Sequence, residues 1–360
     1  MARARELGVP FGGVTGPHNA ITDVPGVQVG YATLIEGEGP LVAGRGPVRT
    51  GVTAVLPRGR AADPVFAGLY ALNGNGEMTG AAWVEESGFL EGAVLLTNTH
   101  SVGTARDALI KWSLERGHAL GPWQLPVVAE TYDGFLNDIS GFHVREEHVY
   151  AALDSAAPGP VAEGNVGGGT GMGLFGFKGG TGTASRHLPE DGGYTVGVLV
   201  QANFGSREDL LVAGVPVGRE VTDLLPVSGS SPPPPGGSII AVVATDAPLL
   251  PHQLKRLARR VPLGVARTGG VAENGSGDLF VAFSTANPRA FAAAERAAVT
   301  MLPNGRIDPL FRATAQATEE AIINALVAAE DMTGQGGNTR FALPHGRLQD
   351  VLGRYNRLSS

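Results

Sequence analysis

Short apolar runs separated by glycine dominate the first two-thirds of this chain. Segments such as 51–57 and 195–201 concentrate valine, leucine and alanine between turn-forming residues, a pattern typical of β-strands. The run 239–244 is continuously apolar and rich in β-branched residues, which predicts a strand buried on both faces. Strands are predicted at 26–31, 51–57, 92–97, 195–201, 239–244 and 279–283.

Apolar positions spaced three or four residues apart predict helices elsewhere. Ala105, Leu109 and Trp112, for example, would share one helical face. Helices are predicted at 102–117, at 251–260, within 288–299, and at about 311–329. Strands outnumber helices before residue 237 and alternate with them afterwards, which is typical of a layered α/β or α+β domain.

A proline-rich junction lies immediately before the most apolar strand. Residues 227–237 are of low complexity, with four prolines followed by Gly236 and Gly237, and Ser238 then opens the strand. Proline keeps such a stretch extended and outside a sheet interior, while glycine permits backbone conformations that other residues avoid. The segment is therefore interpreted as a processing linker rather than as a domain boundary.

Cleavage before Ser238 would make this residue both a new N-terminus and a nucleophile. Its free α-amine would have an ordinary pKa of about 7.7–8.0. The amine would then be partly neutral near physiological pH and able to accept the proton of its own hydroxyl. The simpler interpretation is a linker followed by a strand, with Ser238 as a boundary residue, and this window alone favours the simpler one.

Composition and charge narrow the class of protein. The chain has 360 residues, of which 43% are hydrophobic, 17% are charged and 54 are glycine, and this length suits one large or two ordinary domains. Recurring apolar runs argue against disorder. The net charge of −7 argues against a nucleic-acid partner, because phosphate binding needs clusters of Lys and Arg. The lack of cysteine excludes disulfides, thiol nucleophiles and cysteine-based metal sites.

Targeting, membrane and metal motifs are missing from the sequence. The N-terminus carries basic residues without a following apolar segment, so no signal peptide is expected. No apolar run approaches the roughly 20 residues that span a membrane. The histidines have no HExxH spacing, and no GxSxG elbow or Walker A motif occurs. A soluble cytoplasmic protein without a membrane partner is the expectation.

The densest glycine cluster spans 164–173. Gly171, Gly173 and Gly176 have the spacing of a dinucleotide-binding loop. No strong strand precedes them, however, and no acidic residue follows convincingly about 20 positions later. The match to a Rossmann-type cofactor site is therefore weak. A loop that brings backbone close to a catalytic centre explains the glycines at least as well.

Three short polar clusters carry candidate chemistry. Asn203 ends a strand-like segment, where its amide is able to donate a hydrogen bond to an oxyanion. Glu130 and Tyr132 would share one face of an extended segment and offer a carboxylate for an ammonium group and a phenol for an oxyanion. Ser276 and Asp278 would also share a face and orient a nucleophile. For Asn203, and for Ser276 with Asp278, an ordinary turn is the favoured explanation in isolation.

Taken together, ordered motifs along almost the whole chain resemble the DmpA-like aminopeptidases, a family of self-processing D-aminopeptidases and β-aminopeptidases. The motifs are ITDVPGV at 21–27, NGNGE at 73–77, TNT at 97–99, the glycine cluster up to 172, GSIIAVVATD at 237–246, RTGG at 267–270 and LPH at 343–345. Several unusual motifs in one order outweigh the turn interpretations of the separate clusters.

The resemblance implies an α/β fold of a particular kind. It is a four-layer αββα sandwich, similar to that of the N-terminal nucleophile hydrolases but with different strand connectivity. The resemblance also implies a single aminopeptidase domain over 1–360, which cleaves itself between Gly237 and Ser238. The fragments would contain 237 and 123 residues.

The same resemblance assigns roles to the polar clusters. Ser238 matches the nucleophile of the family, and Asn203 and Tyr132 match positions of oxyanion stabilisers. Glu130 matches the site for the free amine of the substrate. The pair that supports the nucleophile is matched by Ser276 and Asp278; the latter is one methylene shorter than the Glu of some relatives. No cofactor or metal is implied.

The activity implied is that of a serine aminopeptidase, which releases N-terminal amino acids from peptides or amino-acid amides through an acyl-enzyme. The resemblance further implies a tetramer of processed heterodimers. Three alternatives stay open: an acyltransferase resembling the ornithine acetyltransferases, which use threonine as the nucleophile; an amidase for ω-amino amide oligomers; and an unprocessed, non-catalytic binding relative. The choice between D- and L- and between α- and β-amino acids depends on pocket shape and is left open.

Overall fold

Two β-sheets with helices outside them form the frame of the protein, and the computed structural model describes residues 2–229, 237–292 and 295–359. The helices are α1 (Ala81–Ser87), α2 (Val102–Glu115), α3 (Glu146–Asp154), α4 (Val217–Glu220), α5 (Pro251–Ala258), α6 (Val261–Arg267), α7 (Asp308–Val327) and α8 (His345–Arg354). The strands are β1 (Gln28–Glu36), β2 (Val48–Arg60), β3 (Val65–Gly74), β4 (Phe89–Leu90), β5 (Val94–Asn98), β6 (Val127–Thr131), β7 (Gly173–Leu174), β8 (Phe177–Lys178), β9 (Gly180–Leu188), β10 (Tyr194–Asn203), β11 (Ser238–Thr245), β12 (Gly277–Ser284), β13 (Met332–Thr333) and β14 (Thr339–Arg340). Most of the predicted linker, 230–236, lies outside the described residues.

Among the described residues, ten strands form the two large sheets. The four-stranded sheet has the order β1-β2-β5-β6, and the six-stranded sheet has the order β4-β3-β12-β11-β10-β9. Neighbouring strands are antiparallel, except for the parallel pairs β5–β6 and β11–β12. The strand that begins at Ser238 therefore lies in the middle of the larger sheet.

Apolar cores separate the layers. Helices α2 and α3 cover the outer face of the four-stranded sheet. Helices α5 and α7 cover the outer face of the six-stranded sheet, and α6 packs beside α7. The inner faces of the two sheets pack against each other through a further core. This arrangement confirms the predicted αββα sandwich.

Strand β11 illustrates how the sequence pattern builds these layers. Ile239, Ala241 and Val243 belong to the core beneath the helices. Ile240 and Val242 belong to the core between the sheets. All of these side chains are fully buried, which confirms the predicted burial on both faces. Each buried Val or Ile contributes about 1.5–3 kcal/mol to folding, so the strand that carries Ser238 is held from both sides.

Helix α7 packs very closely on β9, because β9 has a glycine at the contact. A Cβ atom at Gly182 would lie 2.0 Å from the carbonyl oxygen of Ala321 and 2.8 Å from the Cβ of Ala325. Both distances are shorter than van der Waals contact. Any larger residue at this position would therefore force the helix away from the sheet.

Most predicted elements are confirmed, with their ends shifted by a few residues, but one helix is wrong. In the segment 288–299, the described residues form turns and irregular backbone instead of a helix. Arg289 has a φ of 63°, which lies in the left-handed region. The segment is largely exposed, and a short alanine-rich helix is marginal in water unless it buries an apolar face. Helices α1, α3, α4, α6 and α8 were not predicted.

None of the helices in the described part of the chain combines the length and apolar character that crossing a membrane requires. The longest, α7, has 20 residues and carries Asp308, Arg312, Glu319 and Glu320.

Gly182→Ala should destabilise the fold, because the added methyl group has no space between β9 and α7. Overpacking of this kind costs about 1–3 kcal/mol, which urea-induced unfolding would measure. Gly103→Ala in α2 is the matched control: nothing lies within 4 Å of an added Cβ there, and alanine favours helix. The control should be neutral or stabilising. Equal effects of the two substitutions would contradict the close packing described here.

Candidate active site

Three strand ends meet at Ser238. Strand β10 ends at Asn203, β11 begins at Ser238, and β12 begins at Gly277. In the sheet, Ser238 is paired with Asn203 on one side and with Gly277 on the other. Strand β6 of the smaller sheet brings Glu130 to the same cleft. From Gly237 the chain thus enters the larger sheet directly among the polar groups singled out from the sequence.

The hydroxyl of Ser238 and the carbonyl before it share one hydrogen-bond donor. Ser238 is only 6% exposed. The backbone N–H of Gly277 donates to Ser238 Oγ, with an N–O distance of 3.2 Å, and also to the carbonyl oxygen of Gly237, at 3.3 Å. A donor in this position is able to stabilise negative charge on the Gly237 oxygen.

The amide side chain of Asn203 bridges two segments of the site. Its Oδ1 accepts a hydrogen bond from the backbone N–H of Gly173 at 2.8 Å. Its Nδ2 donates to the carbonyl oxygen of Tyr132 at 3.0 Å. Gly171 and Gly173 both line the cleft, in keeping with the interpretation of the glycine cluster as a loop that brings backbone to the site.

Glu130 is a buried carboxylate with two hydrogen-bond donors of its own. Oε1 accepts from the backbone N–H of Glu77 at 2.9 Å, and Oε2 accepts from the hydroxyl of Thr99. Burial raises the pKa of Glu130 above its ordinary value, while these two hydrogen bonds oppose the rise. In its ionised form, Glu130 gives this part of the cleft a negative charge.

Tyr132 lies at the mouth of the cleft and is 41% exposed. Partial burial raises the pKa of its phenol, and the charge of Asp133 adds to the rise. The phenol therefore stays protonated and remains a hydrogen-bond donor at neutral pH. Asp133 itself is fully buried, and burial raises its pKa to about 7 against the hydrogen bond from Asn137 Nδ2 at 3.0 Å.

Ser276 and Asp278 form the expected pair. Ser276 Oγ donates to Asp278 Oδ1 at 2.6 Å, so the shorter Asp side chain reaches its partner. Burial raises the pKa of Asp278, and the hydrogen bond from Ser276 lowers it. The pair lines a small cavity of about 10 Å³ next to the main cleft. Gly237 lines both the small cavity and the cleft. Within the described residues, no hydrogen bond joins either side chain to the Ser238 hydroxyl.

The main cleft has a volume of about 580 Å³ and collects most of the candidate residues. Ser238, Asn203, Tyr132 and Glu130 all line it. Lining residues that the sequence reasoning missed include Asn75, Thr99, Phe135, Arg207, Glu273 and Arg340. Thr99 belongs to the TNT motif and Asn75 to the NGNGE motif, so both were detectable in principle, whereas the others have no local signal. Nowhere in the described ranges do three His, Asp or Glu side chains converge as they would around a metal ion.

Comparison with known proteins gives consistent matches along the chain. Residues 19–340 match peptidase family S58. Beta-peptidyl aminopeptidase BapA of Sphingosinicella microcystinivorans is 56% identical, over 99% of this chain and 93% of that protein. The structure of the L-aminopeptidase D-Ala-esterase/amidase from Ochrobactrum anthropi has a TM-score of 0.93 and 50% identity, covering 100% of both chains. A β-aminopeptidase from Burkholderia sp. has a TM-score of 0.91 and 50% identity, covering 98% of this chain and 99% of that one.

Thr99→Val should raise the pKa of Glu130, because it removes a hydrogen bond that favours the ionised carboxylate while keeping the shape of the side chain. Carboxyl ¹³C NMR of the selectively labelled protein would measure the titration. Thr97→Val is the matched control, since the Thr97 hydroxyl donates to the carbonyl of Gly51 and not to Glu130. An unchanged Glu130 titration in Thr99→Val would rule out this contribution.

Proposed function

The chain belongs to peptidase family S58 and is a serine aminopeptidase, and from this premise we propose that it cleaves itself before Ser238 and then uses Ser238 as its nucleophile. The observation that carries the proposal is the position of Ser238 between Asn203 and Gly277, at the cleft that also contains Glu130. One domain over 1–360 would thereby become two chains that stay associated through shared sheets and cores.

In the first step, Ser238 Oγ attacks the carbonyl carbon of Gly237, and the peptide C–N bond breaks as the nitrogen takes up a proton. The product is an ester between the two residues with a free amine on Ser238. Water then hydrolyses the ester, which leaves a carboxylate on Gly237 and a free hydroxyl and α-amine on Ser238. The N–H of Gly277, 3.3 Å from the Gly237 oxygen, supports this step because it would stabilise the developing negative charge.

In the processed enzyme, Ser238 attacks the amide that follows the first residue of the substrate. Its α-amine, or the Ser276–Asp278 pair, moves the proton from the hydroxyl to the leaving amine. Asn203 and Tyr132 donate to the tetrahedral oxyanion, a role worth about 2.7–4 kcal/mol per donor. For this role, Asn203 Nδ2 has to give up or share its present hydrogen bond to the Tyr132 carbonyl. Water finally releases the acyl group as a free amino acid.

Glu130 would make the enzyme an aminopeptidase rather than an endopeptidase. A buried, ionised carboxylate has a strong preference for a neighbouring ammonium group, because neither charge is well solvated by water in the cleft. A substrate with a free N-terminal amine satisfies this need, whereas an internal peptide segment does not. As the pH falls through the raised pKa of Glu130, the carboxylate becomes protonated and substrate binding weakens.

The substrate class proposed is peptides and amino-acid amides with a free amine, including peptides that begin with a β-amino acid. The name of the 56% identical relative, a beta-peptidyl aminopeptidase, supports the second part. Membership of a peptidase family favours hydrolysis over acyl transfer to a second substrate and over a non-catalytic role. A tetramer of processed heterodimers and a cytoplasmic location stay predictions.

Purified protein should contain two fragments of 237 and 123 residues, the smaller beginning with Ser238 and Ile239. Ser238→Ala should remain one chain of 360 residues, because it lacks the attacking hydroxyl. Intact mass and N-terminal sequencing would measure both. Ser206→Ala, which removes another hydroxyl at the cleft, should still be cleaved. Wild-type protein that stays whole on long incubation would overturn the self-cleavage proposal.

Glu130→Gln should lower kcat/KM for free-amine substrates by about 10²-fold, since the amide keeps the shape but removes the charge that pairs with the ammonium. Self-cleavage should continue, because it involves no free amine. Hydrolysis of β-alanyl p-nitroanilide and intact mass would give the two readouts. Glu77→Gln is the control: it removes an exposed carboxylate nearby and keeps the backbone N–H that Glu130 accepts. Simultaneous loss of both activities in Glu130→Gln would contradict the role proposed for this residue.

A further inference from the structure

Arg340 brings a positive charge to the cleft without a negative partner. The residue lines the same cleft as Ser238 and Glu130. Within the described residues, its guanidinium group has no ion pair and no hydrogen-bond acceptor, and its Nε is buried without a partner. Burial lowers the pKa of Arg340 to about 10, so the group is still protonated at neutral pH. An unpaired charge that is removed from water raises the free energy of the protein unless a ligand of opposite charge pairs with it.

The guanidinium group is held in a fixed position. Arg340 lies in β14, opposite Met332 of β13, and the carbonyl of the next residue accepts the N–H of Lys178. The guanidinium carbon lies 4.8 Å from the centre of the Phe135 ring. A Cβ atom at Gly173 would come within 2.3 Å of that carbon, so the absence of a side chain at 173 makes room for Arg340.

The other arginine of the cleft is used differently. Arg207 donates to four backbone carbonyls: Phe175 through Nε, Val221 and Asp223 through Nη1, and Leu224 through Nη2. Its donors are therefore consumed in holding loops together. Arg340, by contrast, contacts the Phe135 ring and has no hydrogen-bond acceptor among the described residues, so its N–H groups remain available to a ligand.

A second basic side chain, rather than a carboxylate, accompanies Arg340 among the described residues. Lys178 is fully buried nearby and donates to the carbonyl of Gly179 at 2.7 Å. Burial lowers the pKa of Lys178, and the charge of Arg340 lowers it further. No carboxylate among the described residues pairs with either group. The carboxylates that line the cleft are Glu130 and Glu273, and Glu273 accepts the hydroxyl of Ser206 at 3.1 Å.

We propose that Arg340 binds a carboxylate group of the substrate in the cleft where Glu130 binds the ammonium group. A guanidinium group offers two parallel N–H donors that match the two oxygens of a carboxylate. The inference rests on the proposed aminopeptidase function and adds a substrate class to it: short peptides that carry a free amine and a carboxylate. The carboxylate has two possible sources, the C-terminus of a dipeptide and an acidic side chain on the residue that is released.

Two pairs of substrates test the proposal and distinguish the sources. The first pair is β-alanyl-glycine and its C-terminal amide, and the second is aspartyl and asparaginyl p-nitroanilide. In wild-type enzyme, kcat/KM for the acid should exceed that for the neutral partner by about tenfold or more in at least one pair, as expected for a charge-assisted hydrogen bond. A preference in the first pair identifies a C-terminal carboxylate, and one in the second pair identifies a side chain.

Arg340→Gln should remove the preference in kcat/KM for the acid substrate. Arg340→Lys keeps the charge but lacks the two parallel N–H donors, so it should retain part of that preference. Arg312→Gln is the matched control, because it removes a positive charge from the exposed face of α7 outside the cleft, and it should keep the wild-type ratio.

Several results would overturn the inference. Equal rates on acid and neutral partners in both pairs by wild-type enzyme would do so without any variant, and so would an unchanged ratio in Arg340→Gln. In these cases hydrolysis of the neutral substrates would leave the proposed aminopeptidase function intact. If the processed wild-type enzyme hydrolyses none of the four substrates and does not hydrolyse β-alanyl p-nitroanilide either, the proposed function is overturned, and this inference with it.

Discussion

The pairing of β11 with its two neighbours is the constraint on which the rest of the site depends. Ser238 is the first residue of the strand, antiparallel to Asn203 and parallel to Gly277. Because β11 is buried between two cores, a shift of its register by one residue would turn its apolar side chains to the wrong faces. The position of the Ser238 hydroxyl is therefore set by the packing of both cores of the sandwich against β11, and not by its hydrogen-bond partner alone.

The charged groups of the site are held in places where water solvates them poorly. Glu130 and Asp278 are both buried carboxylates, and each accepts a hydrogen bond from a hydroxyl, Thr99 and Ser276 respectively. Burial raises both pKa values and the hydroxyls oppose the rise. Such groups interact strongly with any charge or proton that a substrate brings, since little solvent competes. The unpaired guanidinium group of Arg340 extends the same principle to the opposite charge.

Backbone atoms contribute to the site as much as side chains do. The N–H of Gly277 contacts both Ser238 Oγ and the Gly237 carbonyl, and the N–H of Gly173 holds Asn203. A Cβ atom at Gly237 would lie 2.2 Å from the carbonyl oxygen of Asn203. The glycines at these positions thus allow chain segments to approach one another closely around Ser238, and the peptide N–H of Gly277 contacts the nucleophile directly.

The sequence by itself determined the layered fold, the strand that carries Ser238, and the side chains of Glu130, Tyr132 and Asn203 that line one cleft, because burial periodicity and ordered motifs are local features. It predicted a helix within 288–299, where alanine content misled in the absence of a packing partner. Only the tertiary structure decided the rest. The N–H of Gly277 has no residue-type signature, and Arg340 reaches the cleft from a strand far along the chain. Such groups become visible only when folding brings distant segments together and removes the water around them.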